Sequence, residues 1–189
     1  MNWNQGAEQF LNALSSADPT PGGGAAAAMA GAMGCALVLM AIGTTHKRPN
    51  LPQDFLPTLQ STQQKMSQWH KELKKLMQQD AQAYDSYIAA RRLPLADSTR
   101  LEALQNALWF AATVPSDIAT VCTHALREVN VVEPFIAPII LSDVHCAKHL
   151  LKSAIACSLE NMRVNLKGIT DEQRIKELQQ KLTSFEKVL

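Results

Sequence analysis

The sequence is poor in several features that identify common classes of protein. Its 18 basic and 17 acidic side chains leave a net charge of +1 over 189 residues, so charge gives no argument for nucleic-acid binding. Aromatic residues make up only 5%, whereas alanine, leucine and glutamine are plentiful, and this composition favours helices. No CxxC pair is present, which predicts reduced, mostly buried thiols of a cytoplasmic protein for the four cysteines, Cys35, Cys122, Cys146 and Cys157.

Common catalytic and metal-binding motifs are also missing. The chain has no GxSxG elbow, no phosphate-binding P-loop, no Rossmann fingerprint and no HExxH. His145 and His149 lie four residues apart on a predicted helix, a spacing that suits a metal, but a third ligand would have to come from elsewhere. Surface or packing histidines are the favoured interpretation, so the sequence predicts no metal site.

The most informative stretch that is present is DPTPGGG, residues 18–24, followed by the apolar run 25–43. Its prolines keep the entry extended, and its glycines allow a ligand or another backbone to approach closely. Because strong helix formers follow, Pro21, Gly22, Gly23 and Gly24 are predicted to lie at a helix N-terminus, whose free N–H groups suit an anion or a polar oxygen. The same residues are also compatible with a plain loop that leads into a core helix.

The apolar run is long enough to raise the question of a membrane span. It is rich in weakly hydrophobic alanine and glycine, lacks an aromatic belt, and is preceded by Glu8 and Asp18 rather than a basic segment. We therefore expect no membrane association and a helix buried on all sides, with Gly31 and Gly34 admitting close neighbours. Helix pairing across a subunit interface is compatible with the same small residues.

The remaining periodicity predicts an all-α protein. We expect one domain, residues 1–189, in which about six or seven helices surround the Ala/Gly-rich central helix. Predicted helices cover about 5–16, 25–43, 57–91, 98–113, 116–129, 142–167 and 170–189, with a break or kink at Val114-Pro115 and an irregular, buried connection at 131–141. Predicted caps are Asp97 or Ser98, Asn130, Ser142, and a Thr170–Gln173 capping box.

One acid stands out on the long third helix. Asp80 shares a face with Leu76 and Tyr84, at spacings of four residues on either side. A carboxylate on an apolar face is costly unless it is paired, so Asp80 is either a general base with a raised pKa or a structural acid at the edge of the face. Asp143, in the first turn of its helix, is explained equally well by helix capping.

Four segments together resemble the formiminotransferase-cyclodeaminase C-terminal domain, a family that includes stand-alone methenyltetrahydrofolate cyclohydrolases. These are PTPGGGAAAAMAGAMGCALVLM from residue 19, DAQAYDSYIAARRLP from residue 80, VPSDIA from residue 114, and SD at 142–143 with NMRVNLKGI from residue 161. They lie in the family's order and cover nearly the whole chain. The sequence differs from the family pattern at Ala25, Gly43 and the Lys47-Arg48 element, and at 137–141, which includes Ile139.

The resemblance implies a homodimer and one-carbon chemistry on a tetrahydrofolate substrate, with no metal or other cofactor. It implies Asp80 and Asp143 as catalytic residues. The implied substrate-binding residues are Pro21, Gly22, Gly23, Gly24, Ser142, Asn161 and Arg163, and Asn165 is a further position that matches the family. Lys47 and Arg48 are added to the predicted substrate-binding residues because, with Arg163, their charges suit the anionic glutamate tail. A cyclohydrolase is the leading hypothesis; a formimidoyltetrahydrofolate cyclodeaminase and a non-catalytic folate-binding or interaction protein remain open.

Overall fold

Six α-helices account for most of the chain in the computed structural model, which describes residues 2–189 apart from the side chain of Trp3. They are α1 (Trp3–Leu14), α2 (Gly23–His46), α3 (Leu56–Arg92), α4 (Arg100–Val132), α5 (Leu141–Leu166) and α6 (Glu172–Glu186). Three short 3-10 helices, Gln53–Phe55, Glu133–Phe135 and Pro138–Ile140, lie in the connections. Within the described residues there is no strand, and the prediction of an all-α fold is confirmed.

Helices α2 to α5 form an antiparallel up-down-up-down bundle. Along the α2–α5 contact, Gly23 lies beside Asn161, and further on Gly34 lies against Leu151. Along the α2–α3 contact, Gly24 lies beside Asp80 and Gly31 beside Leu73. Helices α3 and α5 therefore both run antiparallel to α2. Helix α6 packs against α4 and α5.

Helix α2 is the central helix that the sequence predicts. Its composition would also allow it to cross a membrane, with a mean hydropathy of 2.1. In the structure it packs on α3, α4 and α5, and Ala28, Cys35 and Val38 are fully buried. A Cβ at Gly31 would stand 2.6 Å from Sγ of Cys122, so the glycine is needed for this close approach. The prediction of burial on all sides is too strong, because Met33 and Met40 are 49% and 45% exposed.

Of the break or kink predicted at Val114-Pro115, the break is wrong. Helix α4 runs without interruption through Pro115, which is buried in its interior. Its C-terminus also lies beyond the predicted cap at Asn130. A proline removes one hydrogen bond from a helix, and tertiary packing of the surrounding apolar residues outweighs that loss here.

Several predicted caps are replaced by neighbouring residues. Ser142 lies inside the first turn of α5, and Ile140 occupies the N-cap without a side-chain hydrogen bond. At α6 the cap is Asp171, whose Oδ1 accepts from the N–H of Arg174 at 3.0 Å, rather than Thr170. Before α4, Asp97 accepts from the N–H of Thr99, although Thr99 itself holds the N-cap position.

The connection before α5 is tied to the end of α2. The backbone N–H of Ala137 donates to Oγ1 of Thr45 at 3.0 Å, and both residues are buried. The predicted irregular connection is thus made of the end of α4 and two 3-10 helices, with Ile139 87% exposed. All four cysteines are free thiols, but only Cys35 and Cys122 are buried, which corrects the prediction that most of them are.

Candidate active site

The glycine turn and Asp80 meet at the N-terminus of α2. The N–H of Ala25 donates to Oδ2 of Asp80 at 2.9 Å, so a side chain of α3 satisfies one of the free donors in the first turn of α2. Gly22 takes the N-cap position, where it has no side chain to offer. Among the described residues, the N–H groups of Gly23 and Gly24 donate to no acceptor. This helix start therefore presents free donors beside a carboxylate.

Glycine is required at position 24 for a simple steric reason. A Cβ there would stand 2.0 Å from Oδ1 and 2.5 Å from Cγ of Asp80. At Gly23 a Cβ would stand 3.3 Å from Nδ2 of Asn161, and at Gly22 it would meet only the carbonyl oxygen of Pro19 at 3.6 Å. The absence of a side chain at Gly24 is what allows the carboxylate to reach the helix terminus.

Asp80 is half-buried, and its environment favours the protonated form. Burial raises the pKa of Asp80 above its ordinary value of 3.8, and the hydrogen bond from the Ala25 N–H offsets part of that rise. A carboxyl group with a raised pKa beside free N–H donors is suited to accepting and returning a proton. The general-base interpretation of Asp80 is therefore consistent with its surroundings.

A cleft of about 480 Å³ opens over Asp80 and the glycine turn. Its polar groups come from Gly22, Gly23, Gly24, Asp80, Asn161 and Asn165. Apolar and aromatic residues also line the cleft, among them Tyr84, Tyr87, Leu108, Ala111 and Val164. This volume and this mixed lining are typical of a site for a small organic molecule.

The two asparagines enter the cleft from α5, one helical turn apart. Asn161 donates from Nδ2 to the carbonyl oxygen of Cys157 at 2.8 Å. Asn165 donates from Nδ2 to the carbonyl oxygen of Ala111, on α4, at 2.6 Å. Because a carbonyl oxygen only accepts, the NH₂ end of each amide is identified, and each Oδ1 is left as an acceptor.

An arginine stands at the rim of the cleft. The guanidinium carbon of Arg91 lies 5.8 Å from the ring centroid of Tyr87, one helical turn earlier on α3. Asp80, Tyr84, Tyr87 and Arg91 follow spacings of four, three and four residues, so they lie along one face of α3. The cleft thus has a carboxylate at one end and a cation beyond its aromatic side.

Four of the predicted site residues lie at the opposite end of the bundle. Lys47 and Arg48 follow the C-terminus of α2 and line a surface depression with Pro138 and Ile139. Ser142 and Asp143 are in the first turn of α5, and 19 residues separate Ser142 from Asn161, a rise of about 28 Å. Within one chain the structure does not bring these four residues together with Asp80.

Two further predicted residues lie near the cleft without lining it. Pro21 is in the turn before α2, after a cis peptide bond with Thr20. Arg163 is ion-paired with Glu160 and Glu186, and these contacts raise its pKa, led by the hydrogen bond to Glu186. Its guanidinium therefore joins α5 to α6.

The histidines of the predicted α5 pair point to no metal centre. His145 lies 3.0 Å from Oε1 of Glu133. Within residues 2–189, excepting the Trp3 side chain, no group of three or more His, Cys, Asp and Glu side chains is arranged to hold a metal ion.

Only one of the departures from the family pattern lies at the cleft end. Ala25 is 1% exposed, and it contributes its backbone N–H, not its side chain, to Asp80. Gly43 and Ile139 both lie toward the opposite end of α2. The polar contacts of Asp80 thus remain in place.

Sequence reasoning left several cleft residues without a role. Tyr84, which the sequence places on an apolar face with Asp80, lines the cleft, and so does Tyr87 on the same helix. Their spacing from Asp80 carries the signal that would have found them. Asn165, in the 161–169 segment of the resemblance, is one helical turn after Asn161. Ala111 and Leu108 are ordinary apolar residues, and nothing in the sequence distinguishes them as part of a site.

The chain thus carries a half-buried carboxylate that faces a helix beginning with glycines, in a cleft lined by polar, apolar and aromatic residues. The formiminotransferase-cyclodeaminase family model matches residues 6–184. The chain therefore belongs to this family.

Individual relatives and a solved structure support this family assignment. The chain is 31% identical over 187 residues to methenyltetrahydrofolate cyclohydrolase of Methylorubrum extorquens, covering 95% of this chain and 89% of that protein. It is 27% identical to formimidoyltransferase-cyclodeaminase of Gallus gallus, covering 92% of this chain but only 33% of that longer protein. The crystal structure of formiminotetrahydrofolate cyclodeaminase from Thermotoga maritima aligns over 100% of this chain and 89% of its own, with a TM-score of 0.85 and 27% identity.

Proposed function

We propose that the protein is a methenyltetrahydrofolate cyclohydrolase, which hydrolyses 5,10-methenyltetrahydrofolate to 10-formyltetrahydrofolate in one-carbon metabolism. The observation that carries the proposal is the contact of Asp80 with the Ala25 N–H in the cleft, in a chain similar over its length to a cyclohydrolase. The substrate is a cation, so its amidinium group suits a site with a carboxylate.

Asp80 performs the proton transfers in the proposed mechanism. As the oxygen of water bonds to the amidinium carbon, the Asp80 carboxylate takes one proton from that water. It returns this proton to N5 as the bond between the carbon and N5 breaks. The hydroxyl group of the adduct loses its remaining proton to solvent as the C=O bond forms, which leaves the formyl group on N10. The cationic substrate itself lowers the pKa of Asp80, which holds the carboxylate ionised at the start of the reaction.

The N-terminus of α2 assists the reaction at the oxygen of the attacking water. The free N–H groups of Gly23 and Gly24 lie in the first turn of α2, where the helix carries a partial positive charge. They stabilise the oxygen as negative charge develops on it. The hydration needs only water and the folate, so we propose that no cofactor takes part.

The shape of the cleft accommodates a folate. Tyr84 and Tyr87 offer aromatic faces to its flat rings, and the amide oxygens of Asn161 and Asn165 accept from ring N–H groups. Arg91, rather than Arg163, is the arginine placed to bind the glutamate carboxylate, since Arg163 is occupied by two glutamates.

We further propose a homodimer in the cytoplasm. Met29, Met33, Ala36 and Met40 form a stripe along the outer face of α2, and the last three are exposed. Isologous pairing of this stripe about an axis between Met33 and Met40 sets two α2 helices antiparallel. Lys47 and Arg48 of the partner subunit then approach the cleft end, and Ser142 and Asp143 lie at the same end of the partner as those cations. Four free thiols suit a reducing compartment.

A second candidate is formimidoyltetrahydrofolate cyclodeaminase, which closes the ring and releases ammonia. It is favoured by the structural likeness to the Thermotoga maritima enzyme of that name. Ring closure passes through the same carbon between N5 and N10, so the same cleft and carboxylate serve it.

A paired assay with the purified protein separates these functions. Loss of methenyltetrahydrofolate absorbance and release of ammonia from formimidoyltetrahydrofolate are followed in parallel, without and with EDTA. A cyclohydrolase gives the first signal alone, at the same rate with EDTA, and Asp80→Asn abolishes it while Asp85→Asn, at an exposed position on α3, does not. Folate binding without either reaction would contradict the enzyme and support the non-catalytic alternative.

A further inference from the structure

Pro115 lies in the interior of α4 and leaves one backbone acceptor unused. A helical residue normally donates its N–H to the carbonyl four residues earlier, which for position 115 is that of Ala111. Proline has no N–H, so this hydrogen bond is missing although α4 continues from Arg100 to Val132. The carbonyl of Ala111 is therefore open to a donor from outside the helix.

Asn165 supplies that donor from another helix. Its Nδ2 donates to the Ala111 carbonyl oxygen at 2.6 Å, and both residues line the cleft. The proline in α4 thus leaves the carbonyl that holds an amide on α5 without its usual helical donor. In an α4 with an ordinary residue at 115, the restored N–H would share the same oxygen with the amide and weaken its hold.

The contact determines which end of the amide faces the ligand. Because Ala111 offers only an acceptor, the NH₂ group must point to it, and Oδ1 is left to accept. Asn161 is oriented in the same manner by the carbonyl of Cys157. The polar side of the cleft therefore presents two amide oxygens, which complement a ligand edge that carries N–H donors.

We infer that Pro115 is a positioning residue for substrate binding, acting through Asn165. By freeing the Ala111 carbonyl it holds the Asn165 amide with Oδ1 available to an N–H group of the pterin ring. The inference rests on the proposed folate function of the cleft, and it gives the proline in the 114–119 segment a role in recognition.

The test is a double-mutant cycle measured by KM and by equilibrium binding of 5-formyltetrahydrofolate. Pro115→Ala and Asn165→Ala should each weaken binding about fivefold, the value of one hydrogen bond, with kcat changed less than twofold. The double variant should be no weaker than Asn165→Ala. Pro115→Ala should also raise Tm, because alanine is favoured over proline in a helix interior.

Pro57→Ala is the matched control, since Pro57 lies in the first turn of α3, where a proline deprives no carbonyl of its partner. It should bind as the unmodified protein does. If the double variant lost affinity by the product of the two single losses, or if Pro115→Ala bound as tightly as the unmodified protein, the inference would be overturned. The folate function would still stand. If the unmodified protein neither turned over nor bound a folate, both proposals would fall.

Discussion

Gly24 and Asp80 approach so closely that a single methyl group at position 24 would occupy the place of the carboxylate. The Cβ would stand 2.0 Å from Oδ1 of Asp80. In Gly24→Ala the carboxylate must move away from the Ala25 N–H, and a displacement of about 1 Å costs on the order of 10²-fold in rate. Cyclohydrolase assays should show that loss, while circular dichroism shows a folded protein. Gly6→Ala, where nothing lies within 4 Å, is the matched control and should keep full activity.

The acid limb of the pH–rate profile should report Asp80. Its pKa is raised by burial, and a general base must be ionised, so kcat/KM should fall with decreasing pH at values above 3.8. In the complex the cationic substrate lowers that pKa, so the limb of kcat should lie at lower pH than the limb of kcat/KM. Stopped-flow hydrolysis at constant ionic strength measures both. Coincident limbs below the ordinary aspartate value would contradict the assignment.

Asp80→Asn should be more stable than the unmodified protein at pH 7. With the folded pKa above the unfolded one, the native state binds more protons in the interval between them, so stability is lost as pH rises through it. Removing the charge should therefore raise Tm at pH 7. The gain should shrink as pH falls below that interval. Asp85→Asn, at an exposed position, should change Tm little, and an equal gain there would refute the explanation.

Arg91 should govern affinity for the substrate tail. Arg91→Ala is expected to raise KM for the monoglutamate substrate about tenfold and to leave kcat unchanged, because the contact is to a part of the substrate that does not react. Arg91→Lys keeps the charge but loses the planar fork, so an intermediate KM is expected. Arg92→Ala, one residue along the same helix, is the control. A larger effect of removing Lys47 and Arg48 would place tail binding on the partner subunit instead.

The apolar stripe of α2 should mediate dimer formation. Met33→Glu combined with Met40→Glu buries two unpaired charges in the proposed interface, so light scattering after gel filtration should show a single-chain mass. Leu95→Glu, at a position 88% exposed between α3 and α4, should leave the mass of the unmodified protein unchanged. A double variant that retains a two-chain mass would exclude this face.

Hydrophobic periodicity and helix-end residues were enough to predict the all-α fold, because each helix buries a regular apolar face. They failed where tertiary contacts decide. Nothing local shows that packing carries α4 through Pro115, or that Ile140 precedes Ser142 as the cap of α5. The pairing of the glycine turn with Asp80 followed from the family resemblance and agrees with the geometry. Within one chain Asp143 lies at the other end of α5, which the sequence could not show, because order along a chain does not reveal which end of an antiparallel helix a residue occupies.

The contact between Gly24 and Asp80 also limits how this family can diverge. Any residue larger than glycine at 24 requires a shorter or absent acid at 80, and loss of the acid leaves the Ala25 N–H without its acceptor. The two positions, 56 residues apart, should therefore change together or not at all. A homologue with a side chain at the first position and no carboxylate at the second would mark the point at which a lineage kept the bundle and abandoned its chemistry.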